Sequence, residues 1–382
     1  MALLNGKKYL SKANLLLKYL FLPFGLDITS SRSSKNQKCI YFLVFLLFCL
    51  CYIVKVIYRV VAFTVYIVSL SPSMREFAAA ILQVVPTAMA FVTHIFFYIR
   101  RSDISSSLKS IMPLLATNER GSQKQYRCLM LEIVIIMVMH FFELTGDQIS
   151  ISTDKEGVEY ACYYYFLLKD GCKTDRARNI ARFSLQFVNV FQFVNNVFIS
   201  LCYCYFSHIC GLLAFNFEQI VSEIHEKTET AGIINSDEIT ELKKRFQRSK
   251  KLTNRLSIIF SPVILIWWIF SIFSICMGVR IILDIKLERC YRLILPAIEA
   301  VRLFFLYKNE SCIHHQAKCL IECFASLMPV NGHEHVFNNF YFLLKSSDVG
   351  INVSGLFLIT SSSILNVIAT IITYAVVLFQ TK

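Results

Sequence analysis

Residues 354–380 read SGLFLITSSSILNVIATIITYAVVLFQ, 27 positions without a charged side chain. Wound as a helix rising 1.5 Å per residue, they extend roughly 40 Å, more than the ~30 Å hydrocarbon core of a bilayer. The polar residues among them share one face. Ser362, Asn366, Thr370, Thr373 and Gln380, with Val377 filling the one gap, fall within about 100° of arc at ~100° per residue. Hydrocarbon penalises such a stripe, so it turns toward protein or water. Two arrangements meet that demand: a hydrogen-bonded seam against another helix, or the wall of a pore. One helix encloses no channel, so a pore requires several copies of the chain around an axis.

The rest of the chain has the same character. Of 382 residues, 55% are hydrophobic and only 17% charged, with a mean hydropathy of +0.54. That balance specifies an all-α integral membrane protein rather than a large soluble core. Seven apolar segments are predicted, at 39–58, 77–99, 129–149, 180–213, 257–279, 293–307 and 354–380. The fourth exceeds a bilayer's thickness and should tilt or project beyond it. Ahead of them, residues 1–38 form a basic N-terminal segment. Its Leu15–Leu26 stretch is too short to span and is expected against the inner leaflet.

Orientation follows from Lys and Arg in the connecting segments. The N-terminal segment and the 100–128, 214–256 and 308–353 loops together hold 24, against 12 in the alternate set. The excess places the N-terminus in the cytoplasm and the C-terminus outside. The net charge of +13 is thereby assigned to topology and lipid headgroups, not to nucleic acid. The organisation expected is spans one to four over 39–213, a cytoplasmic extension over 214–256, spans five and six over 257–307, a cytoplasmic helix and loop over 308–353, and the last span over 354–380.

Within the fourth span, Arg182, Gln186, Asn189, Gln192 and Asn196 fall within about 120° of one face. Intramembrane polar residues face protein or a water-filled cavity, so this stripe lines a ligand cavity or a structural seam. At the same depth lie His140 and Phe141 on span three, Trp268 and Ser271 on span five, and Tyr291 on the approach to span six. Aromatic walls with a few amides suit a small organic ligand. Glu299 and Arg302, three residues apart on span six, are expected to pair, because either charge alone would be costly.

Cys312, His315, Cys319 and Cys323 run along one helical face rather than around a point, which argues against a tetrahedral metal site and favours the buried face of a cytoplasmic helix. Cys162 and Cys172 share the outward 150–179 loop, where a local disulfide can form. No Gly-rich phosphate loop, nucleophile elbow or carboxylate pair with a base occurs, so an enzyme has no support and no cofactor is implied.

The end of the last span carries a family resemblance. Thr373-Tyr374, five apolar residues and Gln380 resemble the terminal motif of insect gustatory receptors, with Thr381 where that family has Phe. The resemblance implies a ligand-gated, weakly selective cation channel for small taste compounds. It implies four subunits, alike or mixed, in the plasma membrane, with Ser362, Asn366, Thr370, Thr373, Val377, Gln380 and Thr381 along the pore. In that family the outer halves of the middle spans hold the tastant, and cytoplasmic extensions such as 214–256 hold the subunits together. Thr373 and Tyr374 would fix the last span against its neighbours, and Gln380 would ring the outer constriction. A chain short for the sugar and carbon dioxide branches points to bitter or plant-metabolite ligands. The alternative is a metabotropic seven-span receptor that forms no pore itself, which an outward N-terminus would favour.

Overall fold

The structure is a computed structural model describing residues 2–28, 35–70, 74–115, 119–153, 174–230, 233–283, 294–330 and 332–380. Among them are nine α-helices: α1 (Ala2–Phe21), α2 (Lys35–Leu70), α3 (Met74–Leu115), α4 (Glu119–Thr153), α5 (Asp175–Thr230), α6 (Ser236–Leu283), α7 (Ile294–Ala325), α8 (Glu334–Lys345) and α9 (Ser361–Gln380). Two-residue strands β1 (Ile233–Ile234) and β2 (Met328–Pro329) pair in parallel, and β3 (Asn352–Val353) and β4 (Phe357–Leu358) form an antiparallel hairpin. Each of the seven apolar segments falls wholly or mostly in a separate helix, the sixth described from Ile294 and the last helical from Ser361. This is an all-α membrane protein. Stretches of α2, α4, α5 and α6 are long and apolar enough to cross a membrane by length and composition, and α9 adds a shorter one, Ser361–Tyr374.

The core is built around α5. Residues 195–217 are buried on every face, largely apolar but with Asn196 and Ser200 among the buried polar side chains. Helices α3, α4, α6 and α7 pack on it. At 56 residues it runs about 84 Å, which accounts for the overlong fourth segment. Its far half and the start of α6 form a helical pair carrying the charged 214–256 stretch. Asn235 and Glu238 cap α6 reciprocally, with Glu238 N donating to Asn235 Oδ1 at 2.9 Å and Asn235 N to Glu238 Oε2 at 3.3 Å. Arg245 pairs with Glu223 at 2.5 Å, and Lys227 pairs with Glu238. The charges thus link two helices more than they decorate one. Lys227 also holds the Glu238 carboxyl below its usual range.

Three expectations need correction. The apolar row of the N-terminal segment packs inside the chain instead of facing a leaflet. Leu10, Ala13, Leu17 and Phe21, a row at helical spacing, are buried on α1, as are Phe24, Leu26 and Ile28 after it, and α1 packs on α4. Gly25, at φ +73°, turns the chain back so tightly that a Cβ would stand 2.5 Å from the Tyr41 carbonyl oxygen. The row was read as a membrane face because its covering helix is a hundred residues away in sequence.

The last span begins later than Ser354. Ser354 and Gly355 both take positive φ (52° and 74°), and Leu356 N donates to Val353 O at 2.9 Å, closing a three-residue hairpin loop with Val353 opposite Phe357. Thr360 and Ser363 then cap α9 reciprocally: Ser363 N donates to Thr360 Oγ1 at 3.3 Å, and Thr360 N to Ser363 Oγ at 2.9 Å. The 20-residue helix that remains is about 30 Å long, which matches the hydrocarbon core. The Cys–His row also moves. Ile313, Ala317, Leu320 and Phe324 form the buried face of α7, while Cys312 and His315 are exposed and Cys319 and Cys323 half-buried.

Candidate functional site

A chain of polar side chains crosses the middle of the helical bundle. Its axis is the α5 stripe. Gln186 is exposed at the outer end, Asn189 and Gln192 are half-buried, and Asn196 is fully buried. Lys55 Nζ on α2 donates to Gln192 Oε1 at 2.5 Å, and Thr87 on α3 donates to the same oxygen at 3.3 Å. Gln192 Nε2 donates to Asn196 Oδ1 at 3.3 Å, and Asn196 Nδ2 to Glu143 Oε1 on α4 at 2.7 Å.

Glu143 Oε2 accepts from His140 Nδ1 at 2.7 Å. His140 Nε2 lies 2.8 Å from the Ser200 hydroxyl. Ser200 Oγ in turn accepts from Arg302 Nε at 2.9 Å. Arg302 completes its fork on the Glu299 carboxylate and, through Nη2, on the Asn196 carbonyl oxygen at 2.7 Å. Glu299 Oε2 accepts from Ser271 Oγ on α6 at 2.8 Å, and Tyr203 OH lies 3.1 Å from that hydroxyl.

The expected Glu299–Arg302 pair is therefore present, each side chain about 1% exposed. Burying two charges costs several kcal/mol per ion unless the remaining donors and acceptors are also met. Here the guanidinium is met on three sides and the carboxylate on two.

An aromatic shell adjoins the Lys55 end. Tyr52, one turn before Lys55, packs against Phe91, His94 and Phe191 at ring separations of 5.7–6.0 Å. Lys55 Nζ stands 5.2 Å over the Phe191 ring. Tyr52 OH and both polar atoms of Asn195 are buried without a hydrogen-bond partner among the described residues. Buried polar atoms left so are costly, and a ligand or water that met them would be held.

Of the sequence-predicted ligand residues, Gln192, Asn196, His140 and Ser271 join this network. Gln186 and Asn189 lie above it on the same row. Phe141 is 62% exposed and points away. Trp268 is also elsewhere: its Nε1 donates to Tyr307 OH at 2.6 Å and its ring lies 5.3 Å from Phe357 of the hairpin. Its neighbour Trp267 is the inward ring, stacked on Tyr203 at 4.3 Å and donating to Thr93 Oγ1 at 2.9 Å. Tyr291, Thr381 and the 154–173 segment with Cys162 and Cys172 lie outside the described residues. Sequence reading missed Ser200 and Tyr203, which the α5 row reaches one and two turns beyond Asn196. It also missed Glu143, one turn beyond His140.

The α9 stripe is placed differently. Val367 is buried, with Ile364 and Ile371 half-buried beside it, and this row seats α9 mainly on α6. Ser362, Asn366, Thr370, Thr373, Val377 and Gln380 are all exposed on the opposite side. Thr370 Oγ1 donates to Asn366 O and Thr373 Oγ1 to Ala369 O, each at 2.8 Å. Those bonds stay within the helix, so the stripe forms no seam inside this chain. Tyr374 is 57% exposed. Neither Thr373 nor Tyr374 therefore fixes α9 to another helix of the same chain.

These features define the class: a polytopic all-α membrane protein with a buried polar core and one outward-facing polar helix. No family model matches the sequence, and no curated protein matches it. Its fold is similar to that of the insect olfactory receptor OR5 from Machilis hrabei, with a TM-score of 0.74 at 8% identity over 100% of both chains. The same receptor in complex with eugenol gives 0.75 at 8% identity, again over 100% of both chains.

Proposed function

We propose that this chain is one subunit of a ligand-gated, weakly selective cation channel that detects small organic compounds in the plasma membrane, with its N-terminus in the cytoplasm. The observation that carries this reading is the α9 stripe. Five polar positions that hydrocarbon would penalise, with Val377 on the same face, are turned outward from the chain that bears them, on a helix of membrane length. Several copies around an axis would bring these stripes together along water, with no carboxylate ring to impose strong ion selection. A full-length likeness to a receptor solved with eugenol supports a small, partly aromatic ligand.

The terminal Thr373-Tyr374 and Gln380 motif favours the gustatory over the olfactory branch, and hence a taste compound of the bitter or plant-metabolite kind. We place the ligand where the aromatic shell of Tyr52 and Phe191 meets Gln192 and Asn196. To gate, it must bind the open arrangement better than the closed one. The assembly is a homotetramer or a heterotetramer with related subunits.

The test is to express the receptor in cells, identify an activating compound by current, and substitute Ser362, Asn366, Thr370 and Thr373 singly with cysteine. A charged thiol reagent should then block or alter the evoked current at two or more of these positions. Full current at all four in functional receptors would end the pore assignment.

A further inference from the structure

At the end of the bundle nearest the helical extension, two cavities adjoin. The first, of about 600 Å³, lies between α2, α3 and the Gly25 turn, with Lys38, Arg101, Lys109, Ser105 and Asp27 in its wall. The second, of about 670 Å³, lies between α3, α6 and α8, with Lys250, Lys251, Arg255 and Asp103 in its wall. Arg255 Nη2 from the second donates at 3.2 Å to the hydroxyl of Ser106, which lines the first. Six cations and two carboxylates thus line the two walls; Asp103 pairs with Arg100 at 3.2 Å, and Lys250 Nζ donates to Ser347 Oγ at 2.7 Å. The Ser105 hydroxyl, on a residue only 8% exposed, lines the first cavity and has no hydrogen-bond partner among the described residues. A ligand with several acceptor oxygens suits this excess of positive charge.

We propose that the two cavities form one site for the headgroup of a multiply phosphorylated membrane lipid, of the phosphoinositide class, in the leaflet on the N-terminal side. Each cavity by itself falls within the roughly 300–1,000 Å³ of small-ligand sites. A lipid is favoured over a soluble phosphate by what leads away from each cavity. Ile258, in the wall of the second, starts an exposed apolar row on α6 with Pro262 and Ile269. Beyond Lys38, α2 exposes Ile40, Leu43, Leu47 and Val54. Acyl chains would lie along these rows, for which a free headgroup has no use. The Arg101 guanidinium rests over the Tyr98 ring at 4.1 Å, an aromatic–cation pairing suited to the membrane interface. The site rests on the membrane-spanning fold and not on the channel reading.

The test is equilibrium binding to the purified full-length receptor in detergent, with short-chain phosphatidylinositol bisphosphate, short-chain phosphatidylserine and free inositol trisphosphate as probes. The bisphosphate lipid should bind at least tenfold tighter than the serine lipid. Arg101→Gln with Lys109→Gln, or Lys251→Gln with Arg255→Gln, should weaken it by about 20-fold, as expected for two lost cations near a lipid headgroup. Ser105→Ala removes no charge and should weaken it about threefold, which keeps a readout if a double variant fails to fold. Equal binding of both lipids, or unchanged binding in folded double variants, overturns the proposal. Free inositol trisphosphate binding as tightly as the lipid overturns the lipid assignment in favour of a cytosolic phosphate. None of these measurements needs a current, so their failure is separable from failure of the channel reading.

Discussion

Arg302 bridges two consecutive turns of α5, its Nη2 donating to the Asn196 carbonyl oxygen at 2.7 Å and its Nε to Ser200 Oγ at 2.9 Å. One side chain of α7 thereby fixes the depth at which that helix stands against the central one. Arg302→Met should leave the Glu299 carboxylate buried without its counter-charge, at a cost of about 3–5 kcal/mol. The variant should melt well below the wild type in detergent. Adding Glu299→Gln should recover part of the loss, because the stranded charge goes with it. A single variant that melts with the wild type would show that the network does not secure the bundle.

The hairpin before α9 makes a second case. Ser257 of α6 accepts from Asn352 N at 2.8 Å and donates to Asn352 O at 3.0 Å, standing in for a strand partner. Ser261, one turn on, accepts from Ser354 N. Ser257→Ala should cost about 1–2 kcal/mol, leaving both backbone groups of Asn352 to find water. Hydrogen exchange at the Asn352 amide should rise about tenfold or more, with amides in the middle of α5 unchanged. An unaltered Asn352 rate would mean that the α6 hydroxyls do not hold the hairpin.

What was legible in the sequence followed from local chemistry. The seven helices appear as apolar runs because lipid and core demand the same side chains. Asn196, His140 and Ser271 stand out because polar groups inside spans need partners. The partners themselves, such as Glu299 for Ser271 or Ser200 for His140, come from other helices, and pairing across helices leaves no mark on either strand of sequence. The start of α9 was different, since its signals were present. Ser354-Gly355 is a turn dipeptide and Thr360 with Ser363 a capping pair, but an uncharged 27-residue run masked both. Trp268 was preferred to Trp267 because a two-residue aromatic pair does not say which ring faces inward.

The N-terminal segment gives a prediction that separates a docked helix from a surface anchor. Leu17 is 1% exposed, so Leu17→Ala should cost about 2–5 kcal/mol. Gly25→Ala combines a left-handed backbone with a Cβ 2.7 Å from the Phe45 amide nitrogen as well as 2.5 Å from Tyr41 O, and should be at least as harmful. Both should lower the melting temperature and the yield of dispersed receptor. A segment lying on the leaflet would tolerate both changes with folding intact and lose only lipid contact.

The two faces of α9 should respond in opposite ways. Val367, 6% exposed, seats the helix on its own chain, so Val367→Ala should destabilise the protomer by about 1–2 kcal/mol. Thr370, exposed on the other side, should tolerate alanine without loss of protomer stability. If copies of α9 line a shared axis, Thr370→Cys or Thr373→Cys should form oxidant-induced dimers between subunits in native membranes. Ile364→Cys, on the seated row, should not, because its thiol faces α6 of the same chain. Electrophoresis without reductant reads the outcome directly. Dimers from Ile364→Cys and none from Thr370→Cys or Thr373→Cys would mean that the polar stripe faces away from any neighbouring subunit, and a pore built on it would not stand.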